Sequence, residues 1–284
     1  MTKKVLITGG YGFTGRHLKN FLHKKNFDVY CLESNIIDNK KVNDEVNLIK
    51  PDYVIHLAGI SNSTIDNEEL YTKVNVEGTV NLINALNSMP QKPKKVLIAS
   101  SASVYGNPKK LPLTEVSDIN PVNLYGESKL EMENRVNVLE KNFPVIFYRL
   151  FNYTGVFHDR HFLIPKVVDT FKRKLAEIEL GNINIKREFN DVRDICEAYY
   201  LGLIKKTECN IINICSGKSF SISEIMKIMS DLSAHHCIVK CNEKYLRTSD
   251  PDDIYGDNEF MQTMLGSKFK HNIKETLSWM YHAK

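Results

Sequence analysis

The chain predicts an α/β fold: a doubly wound parallel sheet of the Rossmann type, with a smaller, discontinuous α/β part for substrate. Three observations predict it. The apolar run Val5-Leu6-Ile7-Thr8 ends in a glycine cluster, Gly9, Gly12 and Gly15, and a helical pattern follows at once. Apolar strand-like runs then alternate with helical periodicity through the first half, which implies parallel strands joined by right-handed crossovers and covered on both faces. The second half is less regular but returns to a strand-like run at Ile211-Ile212-Asn213-Ile214. The expected division is residues 1–150 plus about 190–215 for a dinucleotide-binding part, and 151–189 with 216–284 for a substrate-binding part.

The 284 residues are 42% hydrophobic and 25% charged, which is ordinary for a soluble globular chain with a sizeable core. A net charge of +4 is too small to imply wholesale nucleic-acid binding, though it leaves room for local anion sites. No apolar run approaches the ~20 residues of a membrane helix. The first residues enter a strand directly, without a secretory pattern, so a cytoplasmic protein is expected. The six cysteines include no CxxC pair. His235-His236-Cys237 with Cys241, and His158 with His161, lack the second knuckle of a structural zinc site, so no metal is expected.

Each element follows from its local pattern. Arg16 to Lys25 places Leu18, Phe21 and Leu22 at helical spacing, and 28–33 is a strand closed by Glu33. A short polar stretch, Ser34 to Asn39, leads to a helix ending at Ile49. Tyr53-Val54-Ile55-His56-Leu57-Ala58-Gly59 is a buried strand ending in small residues. Residues 68–88 read as one long helix with a broad apolar face. Strands are expected at 96–99 and 145–150, with a helix over 123–141 between them. Beyond 150, helices are expected at 162–175, 194–203, 221–231 and 272–281, the third opened by the capping pattern Ser221-Ile222-Ser223-Glu224.

Two stretches carry chemistry. The glycine turn, spaced GxxGxxG, lets the backbone touch a pyrophosphate at a helix N-terminus, and Glu33 stands where an acid meets the adenosine ribose. An acid there favours NADH, whereas Arg16 beside the turn would attract the 2′-phosphate of NADPH. Tyr125 and Lys129, four apart on one helix face, pair a phenol with an ammonium that favours the phenolate. Ser100-Ser101 closes a strand, at the edge where ligands of parallel sheets bind. Taken singly, a YxxxK spacing also describes a surface contact, and a serine also describes a turn. In this order, after a dinucleotide turn, they describe proton transfer beside a nicotinamide.

These stretches resemble the extended short-chain dehydrogenases/reductases of the nucleotide-sugar-modifying group, almost end to end. The likeness runs through His56-Leu57-Ala58-Gly59, Val74-Asn75-Val76-Glu77-Gly78-Thr79, Ser100-Ser101, Tyr125 with Lys129, and Arg149-Leu150-Phe151-Asn152. It continues through Phe151-Asn152-Tyr153-Thr154-Gly155, Arg187-Glu188-Phe189-Asn190-Asp191-Val192-Arg193-Asp194, Asn213-Ile214-Cys215-Ser216-Gly217 and Arg247-Thr248-Ser249-Asp250, and is strongest to the reductases of 4-keto-6-deoxyhexoses.

The resemblance implies a catalytic set of Ser101, Tyr125 and Lys129. It places Gly9, Gly12, Phe13, Thr14, Gly15, Glu33, Leu57, Ala58, Gly59, Asn75, Tyr125 and Lys129 against NADH or NADPH. It places Ser101, Asn152, Arg187, Arg247 and Asp250 against a nucleotide sugar, with the arginines on its diphosphate. Phe162, Ile164 and Pro165 wall the pocket or belong to the core. The implied activity is reduction of a nucleotide-linked 4-keto-6-deoxyhexose, on the route to a deoxysugar donor for surface polysaccharide, in a homodimer built on helices 68–88 and 123–141. A 4-epimerase, a dTDP-linked ketoreductase and a non-catalytic dinucleotide-binding regulator are the alternatives. Three departures bear on this. Ala102-Ser103 stand where dehydratases carry an acidic pair, Thr248 where relatives have proline, and Glu188 where they have aspartate.

Overall fold

The computed structural model describes residues 2–139, 141–242, 251–266 and 268–283. In its first half strands and helices alternate: β1 (Lys4–Thr8), α1 (Phe13–Lys24), β2 (Asp28–Cys31), α2 (Asn39–Ile49), β3 (Tyr53–His56), α3 (Glu68–Tyr71), α4 (Gly78–Ser88), β4 (Lys95–Ser101), α5 (Leu124–Val138) and β5 (Val145–Leu150). The second half holds β6 (Tyr153–Thr154), α6 (Leu163–Lys172), β7 (Glu177–Leu180), β8 (Lys186–Glu188), β9 (Asn190–Asp191), α7 (Val192–Ile204) and β10 (Ile211–Ile214). It closes with β11 (Ser219–Ser221), α8 (Ile222–Ser233), β12 (Ile238–Cys241), β13 (Asp253–Ile254), α9 (Glu259–Leu265) and α10 (Ile273–His282).

Six strands form one parallel sheet in the order β10-β5-β4-β3-β1-β2. The chain runs from β1 to β2 on one side, then crosses to β3 on the other. That reversal opens a crevice beyond the carboxyl ends of β1 and β3, where Thr8 and His56 lie in register. Both faces of the sheet are covered, which is why its strands read as continuous apolar runs. Val5 and Ile7 pack with Leu18, Leu22, Ile195 and Tyr199 on one face, and Leu6 packs with Val42, Val46, Leu82, Leu86 and Val136 on the other. A separate core joins α6, β7, α8 and α10 through Val167, Phe171, Ile178, Ile225, Met229 and Leu277. Helix α9 packs Met261 and Leu265 into the sheet core. The expected capping box at Ser221 and Glu224 forms.

The stretch 68–88 is not one helix. Between α3 and α4 the backbone widens into a π turn, Thr72–Glu77. Most apolar residues of this stretch and of α5 lie inside the chain: Leu82, Ile83, Leu86, Met132 and Val136 are buried, while Leu70 and Val138 are exposed. The exposed positions include Leu70, Lys73, Glu77 and Asn84 on one, and Glu127, Glu131, Asn134, Arg135 and Val138 on the other. The two-residue and three-residue strands escape the sequence pattern because they are shorter than one period of alternation can define. Among the described residues no helix is long and apolar enough to cross a membrane.

Candidate active site

The glycine turn is built for close approach. Gly9 has a φ of +67°, and a Cβ there would stand 2.8 Å from Ala58 N. A Cβ on Gly15 would stand 2.4 Å from Gly9 O, so α1 meets the turn only without one. Gly12 caps α1 with no side-chain hydrogen bond, leaving the first N–H groups of the helix for an anion. Leu57 and Ala58 complete this side, at contact distance from Gly9. A cradle that any Cβ would fill, at an uncapped helix N-terminus, fits the pyrophosphate of a dinucleotide.

The end of β3 is tied to the catalytic helix by a buried line of hydrogen bonds. Ala58 N donates to Thr8 Oγ1 at 3.1 Å, and Thr8 Oγ1 lies 2.6 Å from His56 Nδ1. His56 Nε2 lies 2.8 Å from Thr79 Oγ1, which donates to Asn75 O at 2.6 Å. Each hydroxyl has one proton to give, so the donor sense fixes His56 as the neutral Nε2–H tautomer. Burial agrees, pushing its pKa down to about 3. Asn75 then accepts from Ile60 N at 2.7 Å and donates to Ser128 Oγ at 2.9 Å, and Ser128 donates to Tyr125 O at 2.8 Å. The π turn carries Asn75 into this place. A Cβ on Gly59 would lie 3.0 Å from Asn75 Oδ1 and 3.4 Å from Lys129 Nζ.

Ser101 and Tyr125 meet here, and Lys129, one turn on along α5, reaches the Gly59 side. Asn123 caps α5 by accepting from Gly126 N, which sets the first turn that carries Tyr125. Ser101, at the end of β4, hydrogen-bonds the Tyr125 phenol. Burial raises the phenol above its ordinary pKa, and the Ser101 bond pulls the other way. Lys129 donates to Ala99 O at 2.8 Å, and burial brings its pKa down to about 8 against the upward pull of Glu133. The expectation that Lys129 makes the phenol more acidic is not what dominates. Desolvation does, and it favours the protonated phenol, the form a proton donor needs.

Several contributors lie outside the sequence-predicted set. Tyr153 Oη lies 2.7 Å from Thr14 Oγ1, and its ring stacks on Phe13. His158 stacks between Phe13, at 4.3 Å, and Phe162, at 4.4 Å, which fastens 153–162 to the start of α1. Only their tertiary contacts reveal them. Phe162 therefore belongs to this stack, while Ile164 and Pro165 face the core of α6. Glu33 is exposed beyond β2 and accepts from the Tyr11 phenol. Asn152 is exposed beside Tyr153, and its carbonyl accepts from Asn190 N at 2.9 Å. Arg187 lies on β8, donating to Lys186 O and Pro251 O. Arg247, Thr248 and Asp250 lie outside the described residues. Ala102 and Ser103 form a tight turn in which Ser103 N donates to Ser101 Oγ at 3.1 Å, with no carboxylate at either position.

A family model described as the NAD dependent epimerase/dehydratase family matches residues 5–215. The chain belongs to that family. GDP-6-deoxy-D-talose 4-dehydrogenase of Aggregatibacter actinomycetemcomitans is 32% identical, across 98% of this chain and 97% of that protein. GDP-6-deoxy-D-mannose reductase of Pseudomonas aeruginosa is 27% identical, across 98% and 95%. The structure of RMD from Pseudomonas aeruginosa complexed with NADPH superposes with a TM-score of 0.90 at 26% identity, covering 99% of this chain and 98% of that one. This member of the NAD-dependent epimerase/dehydratase family is thus an enzyme of the nucleotide-sugar class that uses a nicotinamide dinucleotide.

Proposed function

We propose that the chain is a nucleotide-sugar 4-ketoreductase, acting on GDP-4-keto-6-deoxy-D-mannose with NADH in preference to NADPH, on the way to a deoxysugar donor. One observation carries this reading: Tyr125 bonded to Ser101 beside the dinucleotide cradle, with Ala102 and Ser103 following where a dehydratase needs acids. The two GDP-sugar relatives support the substrate. GDP-6-deoxy-D-talose and GDP-6-deoxy-D-mannose differ only at C4, so oxidation there gives one and the same ketone.

Gly9, Gly12, Gly15, Glu33, Gly59 and Lys129 would hold the dinucleotide, which would supply the hydride. Ser101 orients the ketone oxygen, and Tyr125 Oη gives it the proton that makes the alcohol. Lys129 keeps a positive charge beside the phenolate that remains. Arg187 and Arg247 take the diphosphate, with Asn152 and Asp250 toward the sugar. A homodimer through 68–88 and α5 is part of this reading; their exposed side chains are mostly polar, with Leu70 and Val138 among them.

The test is turnover against GDP-, dTDP- and UDP-linked 4-keto-6-deoxyhexoses, followed by nicotinamide absorbance. Consumption with the GDP sugar is the expected result. Tyr125→Phe should lower kcat by about 10²–10⁴-fold with NADH affinity unchanged. A protein that purifies with cofactor bound and interconverts sugars without net oxidation would instead be a 4-epimerase.

A further inference from the structure

The carboxylate expected at the adenosine ribose does not stand alone. Glu33 accepts from the phenol of Tyr11, a residue inside the glycine turn that is 54% exposed. The Tyr11 carbonyl in turn accepts from Arg16 Nε at 2.9 Å. A second carboxylate, Glu45 of α2, is fixed beside the first. Its Oε1 accepts from Glu33 N at 2.8 Å, and its Oε2 from Ser34 N at 2.9 Å and Ser34 Oγ at 2.6 Å. Three donors hold Glu45 so that it cannot swing away from an approaching anion. Both carboxylates act on the Tyr11 phenol, whose pKa is pushed up to about 12, first by the Glu33 hydrogen bond.

Resting on the dinucleotide reading above, we propose that Tyr11 and Glu45 are specificity-determining residues for the cofactor. Tyr11 holds one oxygen of Glu33 and leaves the other to accept from the ribose hydroxyls. Glu45 adds a second negative charge that the protein cannot move, so a ribose 2′-phosphate meets two carboxylates and finds no donor on either. Arg16 turns its Nε to the Tyr11 carbonyl. The arrangement selects an unphosphorylated adenosine ribose by hydrogen bonding and rejects the phosphorylated one by charge.

Titration of the whole protein with NADH and with NADPH, read by nicotinamide fluorescence without any sugar, tests this. The wild type is expected to bind NADH more tightly. Tyr11→Phe should narrow the NADH:NADPH affinity ratio by about tenfold, mostly through weaker NADH binding, the loss expected for one hydrogen bond to a charged group. Glu45→Gln should narrow the NADH:NADPH affinity ratio by about threefold or more. A Tyr11→Phe protein that keeps the wild-type ratio, or a wild type that prefers NADPH, overturns the proposal. A wild type that binds neither nucleotide overturns the dinucleotide reading beneath it.

Discussion

Glu188 shows how much one side chain can hold in this fold. It is 1% exposed, and five donors surround its carboxylate: Asn190 Nδ2, Ser216 N and Ser216 Oγ on Oε2, and Gly217 N and Gly256 N on Oε1. It therefore binds β8 to the loop after β10 and to the segment before α9, and it fixes the strand that carries Arg187. Burial raises its pKa while the Gly256 and Ser216 bonds lower it. Five donors and no proton to spare describe an ionised group. Glu188→Gln puts an amide NH₂ against donors, and is expected to lower unfolding free energy by about 2–3 kcal/mol in urea titrations. An unchanged midpoint would mean that the native side chain is already protonated. The sequence shows Glu188 only as a departure from aspartate, because its partners are spread over almost 70 residues of chain.

The elements were legible in proportion to how local their causes are. The strand, turn and helix at 4–24 follow from apolar residues and glycines within a short window, and Tyr125 with Lys129 from helical spacing alone. The π turn at Thr72–Glu77 was not legible, since the pattern on either side is helical and its cause is remote. Asn75 bridges Ile60 and Ser128, and Thr79 bridges His56 and Asn75, all through side chains meeting across the site. His56 reads as one polar residue in an apolar strand, with nothing to announce its partners. Thr79→Val keeps the volume but removes the hydroxyl, leaving His56 Nε2–H and Asn75 O without it. A loss of about 1–3 kcal/mol is expected by equilibrium unfolding. The same variant should reduce kcat more than it raises KM for the dinucleotide, because the line it breaks ends at the Tyr125 carbonyl rather than at the glycine turn. A variant as stable and as active as the wild type would show that the line is a bystander.

At the scale of the whole molecule, two histidines, His56 buried and His158 half-buried, join parts that are distant in sequence. His56 links β1, β3 and α4, and His158 lies between the start of α1 and the entry to α6. Burial lowers both, His56 to about 3 and His158 to about 4, from the ordinary 6.5 of histidine. Between those native values and 6.5 the unfolded chain takes up protons that the folded chain refuses, so stability is complete above pH 6.5 and falls as the solution is acidified. His56 alone should cost about 2 kcal/mol between pH 7 and pH 5. His158 adds to the same slope. Urea midpoints at the two pH values measure the total. His56→Gln offers an amide N–H toward Thr79 and does not titrate, so it should be less stable at pH 7 but lose less on acidification. An equal loss in both proteins would assign the acid sensitivity to other groups and leave His56 protonated within the fold.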